Sequence, residues 1–175
     1  MVNILSIVFM IVSMLICFLL PVALIIYFYR KYKISLIAVL LGAIVFFVSQ
    51  IAIRIPLLSI VGKQQWYIVM KLLMKKSLNW KNGIAFGIGH GGIEAIIIVG
   101  LTLLNYIVIS MMINSGLFDS AIAATLPPTV AEQIRSTLVD SPTINFLGGG
   151  FERTMTMDYR IIYSSLCRSR LNLYY

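Results

Sequence analysis

Asn82-Gly-Ile-Ala-Phe-Gly-Ile-Gly-His90-Gly-Gly-Ile-Glu94-Ala95 begins a long apolar run that continues to Ile113. It contains His90, the single histidine of the chain, and Glu94 follows four residues later. Residues four apart share one face of a helix, so we expect this imidazole and this carboxylate to lie one above the other at membrane depth. Ionisable residues at that depth cost about 2.5–3.5 kcal/mol on insertion scales, which makes the pair a functional candidate.

The composition of the chain is that of an integral membrane protein. Hydrophobic residues make up 60% of its 175 residues, charged residues make up 11%, and the mean hydropathy is +0.97. Soluble domains average about 25% charged residues. We therefore predict an all-α fold, a polytopic membrane helix bundle in contact with the lipid bilayer. The formal charge of +8 then indicates cytoplasmic loops and anionic lipid headgroups, and we expect no nucleic-acid partner.

Apolar runs predict a membrane domain over residues 1–157. We place its spans at about residues 4–29, 34–53 and 84–113, with an incomplete span from about residue 144. The first span ends in the basic loop Arg30–Lys33, and the positive-inside rule puts that loop in the cytoplasm and the N-terminus outside the cell. Residues 158–175 are too polar to continue a membrane helix, so we predict an atypical tail there, for which a frameshift is one explanation.

The segment between the second and third spans creates a conflict. It carries the densest group of positive charges in the chain: Lys63, Lys71, Lys75, Lys76 and Lys81. The positive-inside rule places these lysines in the cytoplasm, as it does the loop Arg30–Lys33, yet only one crossing separates the two regions. Either the lysines are stranded outside, or the segment re-enters the membrane, or a span is absent between about Val61 and Lys71.

Small residues recur every four positions at Gly83, Gly87, Gly91 and Ala95. In a membrane helix such a face lets another helix approach closely. We therefore expect tight packing against residues 83–95, or a locally irregular backbone that lines a cavity.

The polar stretch between residues 114 and 142 predicts an extracytoplasmic loop. Within it, Thr129–Val139 has the pattern of a short amphipathic helix on the surface, with Val130, Ile134 and Leu138 on its apolar face.

His90 and Glu94 admit two interpretations. In the first, both ligate one Zn²⁺, or Glu94 is the base that deprotonates a metal-bound water. A catalytic zinc needs about three protein ligands, so the pair alone is insufficient. In the second, Glu94 accepts a hydrogen bond from His90 or from a neighbouring helix and only stabilises the bundle. The spacing alone favours the second interpretation.

Glu152-Arg153 is a second candidate pair. Adjacent residues do not face each other on a helix, so we expect no self-contained ion pair. A functional interpretation makes Glu152 a further ligand and Arg153 an oxyanion clamp. The alternative is an interfacial pair in which Arg153 extends its guanidinium toward the headgroups.

Trp80–Ala95, with its Gly-His-Gly-Gly-x-Glu-Ala core, resembles the YhfC family of bacterial intramembrane metalloproteases, which is similar in pattern to the CAAX-type membrane proteases. Three further regions resemble family segments in family order: the opening of the chain through residues 54–58, the Leu-Pro-Pro loop at 126–128 and Gly149–Arg153. The resemblance implies a multi-pass protein of the bacterial cell membrane that hydrolyses peptide bonds of a membrane protein or peptide substrate. It also implies a divalent metal, zinc, at His90 and Glu94, and catalytic roles for Glu94, Glu152 and Arg153.

Two departures from the family pattern predict an impaired copy. Ahead of the histidine motif the family carries a helix with a Glu-Glu pair followed by Arg, which should fall between Trp66 and Lys75 and is absent. The helix after Arg153 should stay apolar and carry another histidine, but here the chain reaches Asp158-Tyr159-Arg160. Two hypotheses remain: an intramembrane protease that is impaired in this copy, and a non-catalytic membrane binding or transporter-like component.

Overall fold

Helices make up all the secondary structure in the computed structural model, which describes residues 1–48 and 79–171. This confirms the predicted all-α class. In chain order the segments are α1 (Ile4–Tyr32), α2 (Leu36–Val48), α3 (Trp80–Glu94), a π-helical segment (Ala95–Gly100), α4 (Leu101–Ser115), α5 (Phe118–Ala121), a 3-10 turn (Ala123–Thr125), α6 (Pro128–Val139) and α7 (Thr143–Leu171).

Two helices in the described ranges are long and apolar enough to cross a membrane. They are α1 and the continuous 36-residue helix Trp80–Ser115, which joins α3, the π-helical segment and α4. They overlap the first and third predicted spans. The second predicted span corresponds to α2, a 13-residue apolar helix. The end of that span, the lysine-rich segment and the site of the expected Glu-Glu/Arg helix lie outside the described residues.

Side-chain caps explain where these helices begin. The Asn3 side chain accepts a hydrogen bond from the Leu5 N–H at 2.9 Å, and the Asn79 side chain accepts one from the Asn82 N–H at 2.8 Å. Each asparagine satisfies a backbone donor that has no partner inside its helix. At its other end α4 stops at Gly116, whose φ of 77° is a left-handed conformation that glycine adopts without strain.

Glycines bring the backbones of α2 and α3 into contact. A Cβ atom on Gly42 would collide with the carbonyl oxygen of Phe86, and one on Gly89 would collide with the carbonyl oxygen of Val39. Each helix therefore presents a glycine to the other. The short helix α2 is positioned directly against the part of α3 that carries the histidine motif.

Glycines on the other sides of α3 receive two more helices. A Cβ on Gly91 would lie 2.8 Å from Met157 Cγ of α7, and one on Gly92 would lie 2.8 Å from Pro21 Cβ of α1. The close packing expected from the sequence is present. The small residues of α3 contact three neighbouring helices, α1, α2 and α7, and do not form a single packing face. Helix α3 is therefore the central helix of the described bundle.

The two ends of the bundle are marked by contacts between distant segments. Tyr32 at the end of α1 packs edge to face against Trp80 at the start of α3, with ring centroids 5.2 Å apart. At the other end the Val2 N–H donates to Asn114 Oδ1 at 2.7 Å, and Asn114 Nδ2 donates to the Val2 carbonyl at 3.1 Å. Because α2 starts just after Tyr32, α2 and α3 begin at the same end. The basic residues after α1 and at the start of α3 thus share that end.

The amphipathic helix expected at residues 129–139 exists as α6, but its buried face differs from the prediction. Leu138 is 1% exposed and Ala131 is 7% exposed, whereas Val130 is 39% exposed. Ile134 packs against the same apolar cluster as Leu138. The prediction was wrong for Val130, since Ala131 occupies the inward position one residue later.

Helix α7 is attached to α1 along its first turns. Ser13 Oγ donates to the Phe146 carbonyl at 2.7 Å, and Ser6 Oγ lies 3.0 Å from Thr143 Oγ1. Gly150 lets the two helices touch, because a Cβ there would lie 2.8 Å from Ser13 Cβ. The helix continues without interruption past residue 158. The assignment of residues 158–175 as an atypical tail stays a prediction.

Candidate functional site

Glu94 is the last residue of α3, and the backbone becomes π-helical at Ala95. Such π-helical segments inside longer helices occur frequently at functional sites. The Glu94 residue is 8% exposed, and His90, one turn earlier, is 4% exposed. Both polar residues of the histidine motif are therefore buried inside the bundle.

The His90 ring is held by aromatic neighbours on the α2 side of α3. It meets Phe46 of α2 at right angles, with centroids 5.5 Å apart, and it stacks on Phe86 at 6.2 Å with an angle of 17° between the planes. The imidazole also hydrogen-bonds to the backbone of Gly42. Packing against α2 thus fixes the position of this ring.

Glu94 reaches across to α7, where two arginines hold its carboxylate. Arg160 Nη2 lies 2.6 Å from Oε2, and Arg153 Nη1 lies 3.5 Å from Oε1. The side chains are 10% exposed for Glu94, 20% for Arg153 and 17% for Arg160. These three residues are termed the arginine clamp. Both contacts are ion pairs without hydrogen-bond geometry, since Glu94 Oε2 has no hydrogen-bond partner among the described residues. In this partly buried setting they are screened less by solvent than a surface ion pair.

Close approach of α7 to α3 makes the arginine clamp possible. A Cβ on Gly87 would lie only 3.0 Å from the carbonyl oxygen of Arg160, so a larger residue there would push α7 away. Arg153 and Arg160 are seven residues apart, which is about two helical turns and therefore the same face of α7. Glycine on one helix and the arginine spacing on the other together place both guanidiniums at Glu94.

Glu152 is not brought into the buried site. Its side chain is 67% exposed, and its Oε1 lies 2.8 Å from Arg153 Nη2. The two residues form an ion pair, because the long Arg153 side chain can reach a carboxylate one residue away, but the pair is not self-contained, since Arg153 also contacts Glu94. Arg153 consequently bridges two carboxylates, Glu152 at the surface and Glu94 in the interior.

Arg160 is a site residue that the sequence patterns did not identify, because it begins the polar stretch predicted to be a tail. Its spacing of seven residues from Arg153 does indicate that both arginines lie on one helix face. Of the predicted site residues, the structure joins Glu94 and Arg153. It places His90 on the neighbouring turn and turns Glu152 outward.

The residues around Glu94 do not fit the zinc site that the resemblance implies. A catalytic zinc takes about three protein ligands and a water. Within residues 1–48 and 79–171, no three His, Cys, Asp or Glu side chains come together. Each Glu94 oxygen faces a guanidinium. His90 alone resembles a metal ligand. Ligating histidines commonly donate a hydrogen bond to a backbone carbonyl through the ring nitrogen that does not bind the metal, and the His90 ring is hydrogen-bonded to the Gly42 backbone.

Comparison with known proteins identifies relatives of the chain. A family model described as YhfC intramembrane metalloprotease matches residues 58–169. The chain is also 32% identical over 189 residues to a protein of Bacillus subtilis (strain 168) named "Uncharacterized membrane protein YhfC". That alignment covers 92% of this chain and 73% of the relative. No solved structure matches the chain.

The alignment with the Bacillus subtilis protein is longer than the part of this chain that it covers. Covering 92% of 175 residues corresponds to about 161 residues, whereas the alignment extends over 189, so about 28 of its positions have no counterpart here. A transmembrane helix needs about 20 residues. The total of unmatched positions therefore exceeds the length of one span.

Proposed function

Because this chain belongs to the YhfC intramembrane metalloprotease family, we propose that it is a membrane-embedded member whose His90–Glu94 site is held closed, so that this form does not hydrolyse peptide bonds. The observation that carries the proposal is the arginine clamp, in which Arg153 and Arg160 occupy the two oxygens of Glu94. The carboxylate is thereby engaged as a structural partner of α7.

Electrostatics oppose a metal ion at the clamped carboxylate. At an effective dielectric constant of about 20, a divalent cation about 5 Å from one guanidinium is repelled by about 7 kcal/mol. Two guanidiniums lie at Glu94, and its single negative charge is already shared between them. A metal could be ligated by Glu94 only after at least Arg160 had moved away.

The sequence comparison supports the same proposal independently. The chain lacks a Glu-Glu pair followed by Arg between Trp66 and Lys75, where the family resemblance predicts one. The positions of the Bacillus subtilis relative that have no counterpart in this chain, about 28 in total, are numerous enough to include such a helix. Carboxylates of such a helix would be the natural additional ligands for a metal beside His90.

The remaining expectations follow from the family and the closed site. The family's activity implies a metal and a peptide substrate. For this chain we propose that a membrane peptide is bound without being cleaved, and that zinc, the metal expected from the resemblance, is not retained. We further propose that the end marked by Tyr32 and Trp80 is cytoplasmic, since basic residues of two segments collect there.

Metal analysis of the purified protein tests the proposal. The unmodified protein and the His90→Ala variant would be purified in detergent, exposed to Zn²⁺, freed of excess metal and measured by mass spectrometry for zinc per polypeptide. We expect the same low content in both. A content near one zinc per chain that disappears in His90→Ala would overturn the closed-site proposal.

A further inference from the structure

A shallow groove in two adjoining parts, formed among the described residues by side chains of α1 alone, runs along one exposed side of that helix. Its first part, of about 390 Å³, is lined by Val12, Leu15, Ile16, Leu19, Leu20 and Ala23. Its second part, of about 620 Å³, is lined by Ala23, Ile26, Tyr27, Arg30 and Lys31. Ala23 lines both parts, so the two are joined. The side chains of Leu15, Leu19 and Ile26 are 45%, 60% and 52% exposed, which leaves the groove open to the membrane.

The chemistry of the groove changes along its length. The first part is entirely aliphatic, and the second part ends in two cations. Lys31 is held in place, because its Nζ donates to the Tyr27 hydroxyl at 2.9 Å and lies 5.2 Å from the centre of the Tyr32 ring. Arg30 is exposed beside it. The groove therefore joins an apolar channel to a preorganised positive end.

We propose that this groove binds one anionic phospholipid, with its phosphate at Arg30 and Lys31 and an acyl chain along residues 16–26. The dimensions agree with this ligand. Ile16 and Arg30 are separated by fourteen residues, or about 21 Å along a helix. One leaflet together with its headgroups contributes half of a bilayer that is about 40–45 Å thick, which is about 20–22 Å. With Arg30 at the depth of the headgroups, Ile16 therefore lies near the middle of the bilayer.

The lining residues favour a lipid over a second helix. Contacts between membrane helices are rich in glycine, alanine, serine and threonine, which allow backbones to approach. The groove has Ala23 as its one small lining residue among the positions described, and its other apolar lining residues are Val, Leu and Ile. A helix would also need an acidic end at the level of Arg30, whereas an anionic lipid supplies a phosphate directly beside its acyl chains.

Lipid adducts in native mass spectrometry test the headgroup end. Phosphatidylglycerol and phosphatidylcholine with the same acyl chains would be added to the detergent-solubilised protein. We expect phosphatidylglycerol to bind preferentially, and the Arg30→Gln/Lys31→Gln double variant to lower its affinity by about 30-fold. The control is Lys33→Gln/Lys81→Gln, which removes the same charge from the same end of the bundle outside the groove and should keep the preference.

A bulky residue in the apolar part tests the acyl-chain end. Leu19→Trp should reduce adducts of both lipids, whereas Val22→Trp, at a position that is 50% exposed but does not line the groove, should leave them unchanged. Equal binding of the two lipids by the unmodified protein would overturn the proposal, as would equal losses in the groove and control variants. A dimer dissociated by Leu19→Trp would also overturn it, because the groove would then hold a second copy of the chain.

Discussion

Arg160 Nη2 contacts Glu94 Oε2 at 2.6 Å, although the two residues are on different helices and far apart in the sequence. Arg153 approaches the other carboxylate oxygen from the same face of α7. The His-x-x-x-Glu spacing makes Glu94 a candidate for metal chemistry, whereas in the structure Glu94 links α3 to α7. In a buried pair, loss of either partner leaves an uncompensated charge, so the contact has consequences for stability as well as for chemistry.

Glu94→Gln should lower the free energy of unfolding by about 3–5 kcal/mol, because the largely buried Arg160 guanidinium would lose the carboxylate it contacts, while Arg153 would keep only Glu152. Glu152→Gln is the matched control. It removes a carboxylate from the same network, but one that is 67% exposed, and should change stability by less than about 1 kcal/mol. Unfolding in mixed detergent micelles measures both, and equal effects would contradict a structural role for Glu94.

The double variant Glu94→Gln/Arg160→Gln should be more stable than Glu94→Gln alone. Removing Arg160 together with its partner leaves Arg153 as the remaining guanidinium at this site, and Arg153 keeps its contact with Glu152. The coupling between the two sites in a double-mutant cycle should be about 0.5–3 kcal/mol. Strictly additive effects would mean that the two side chains do not interact in the membrane protein.

Gly89→Ala should disrupt the packing of α2 on α3, since the new methyl group would collide with the Val39 carbonyl oxygen, which is backbone and cannot move aside cheaply. We expect a loss of about 1–3 kcal/mol or more. Gly149→Ala is the control, because no atom lies within 4 Å of its Cβ position in α7. That variant should be neutral or up to about 1 kcal/mol more stable, as alanine favours helix.

Replacing His90 distinguishes packing from ligation. His90→Phe preserves a ring between Phe46 and Phe86, so its stability should stay closer to the unmodified protein than that of His90→Ala, which leaves a cavity. Both variants lose the hydrogen bond to the Gly42 backbone, so the comparison isolates the ring. Unfolding curves with and without added Zn²⁺ provide the measurement. If zinc stabilises the unmodified protein and neither variant, His90 is a ligand.

Cysteine labelling tests which segments share an end of the bundle. In a background with Cys17 and Cys167 replaced by serine, Lys33→Cys and Lys81→Cys should react with a membrane-impermeant maleimide only after cell lysis, since we propose from the positive-inside rule that their end is cytoplasmic. Ser115→Cys, at the opposite end, should react in intact spheroplasts. Reaction of Lys33→Cys and Lys81→Cys from opposite sides would contradict the Tyr32–Trp80 contact.

Some features of the fold were readable from local patterns. Long apolar runs predicted α1 and the helix Trp80–Ser115, and the glycines around His90 predicted close helix packing. Local patterns did not tell which neighbour uses each glycine. That depends on how three helices surround α3. The sequence pattern likewise placed Val130 on the inward face of α6, where the structure has Ala131. A short amphipathic pattern does not distinguish between two helix faces that differ by one residue position.

The sequence by itself determined that the protein is a helical membrane protein and that His90 and Glu94 belong to one long apolar helix. Hydropathy and helical periodicity are properties of neighbouring residues, so they can be read without knowledge of the fold. Only the tertiary structure decided what the Glu94 carboxylate contacts. Its partner Arg160 reaches it because Gly87 and Gly91 let α7 pack against α3. Such a contact depends on the relative position of two helices, which local sequence patterns do not specify.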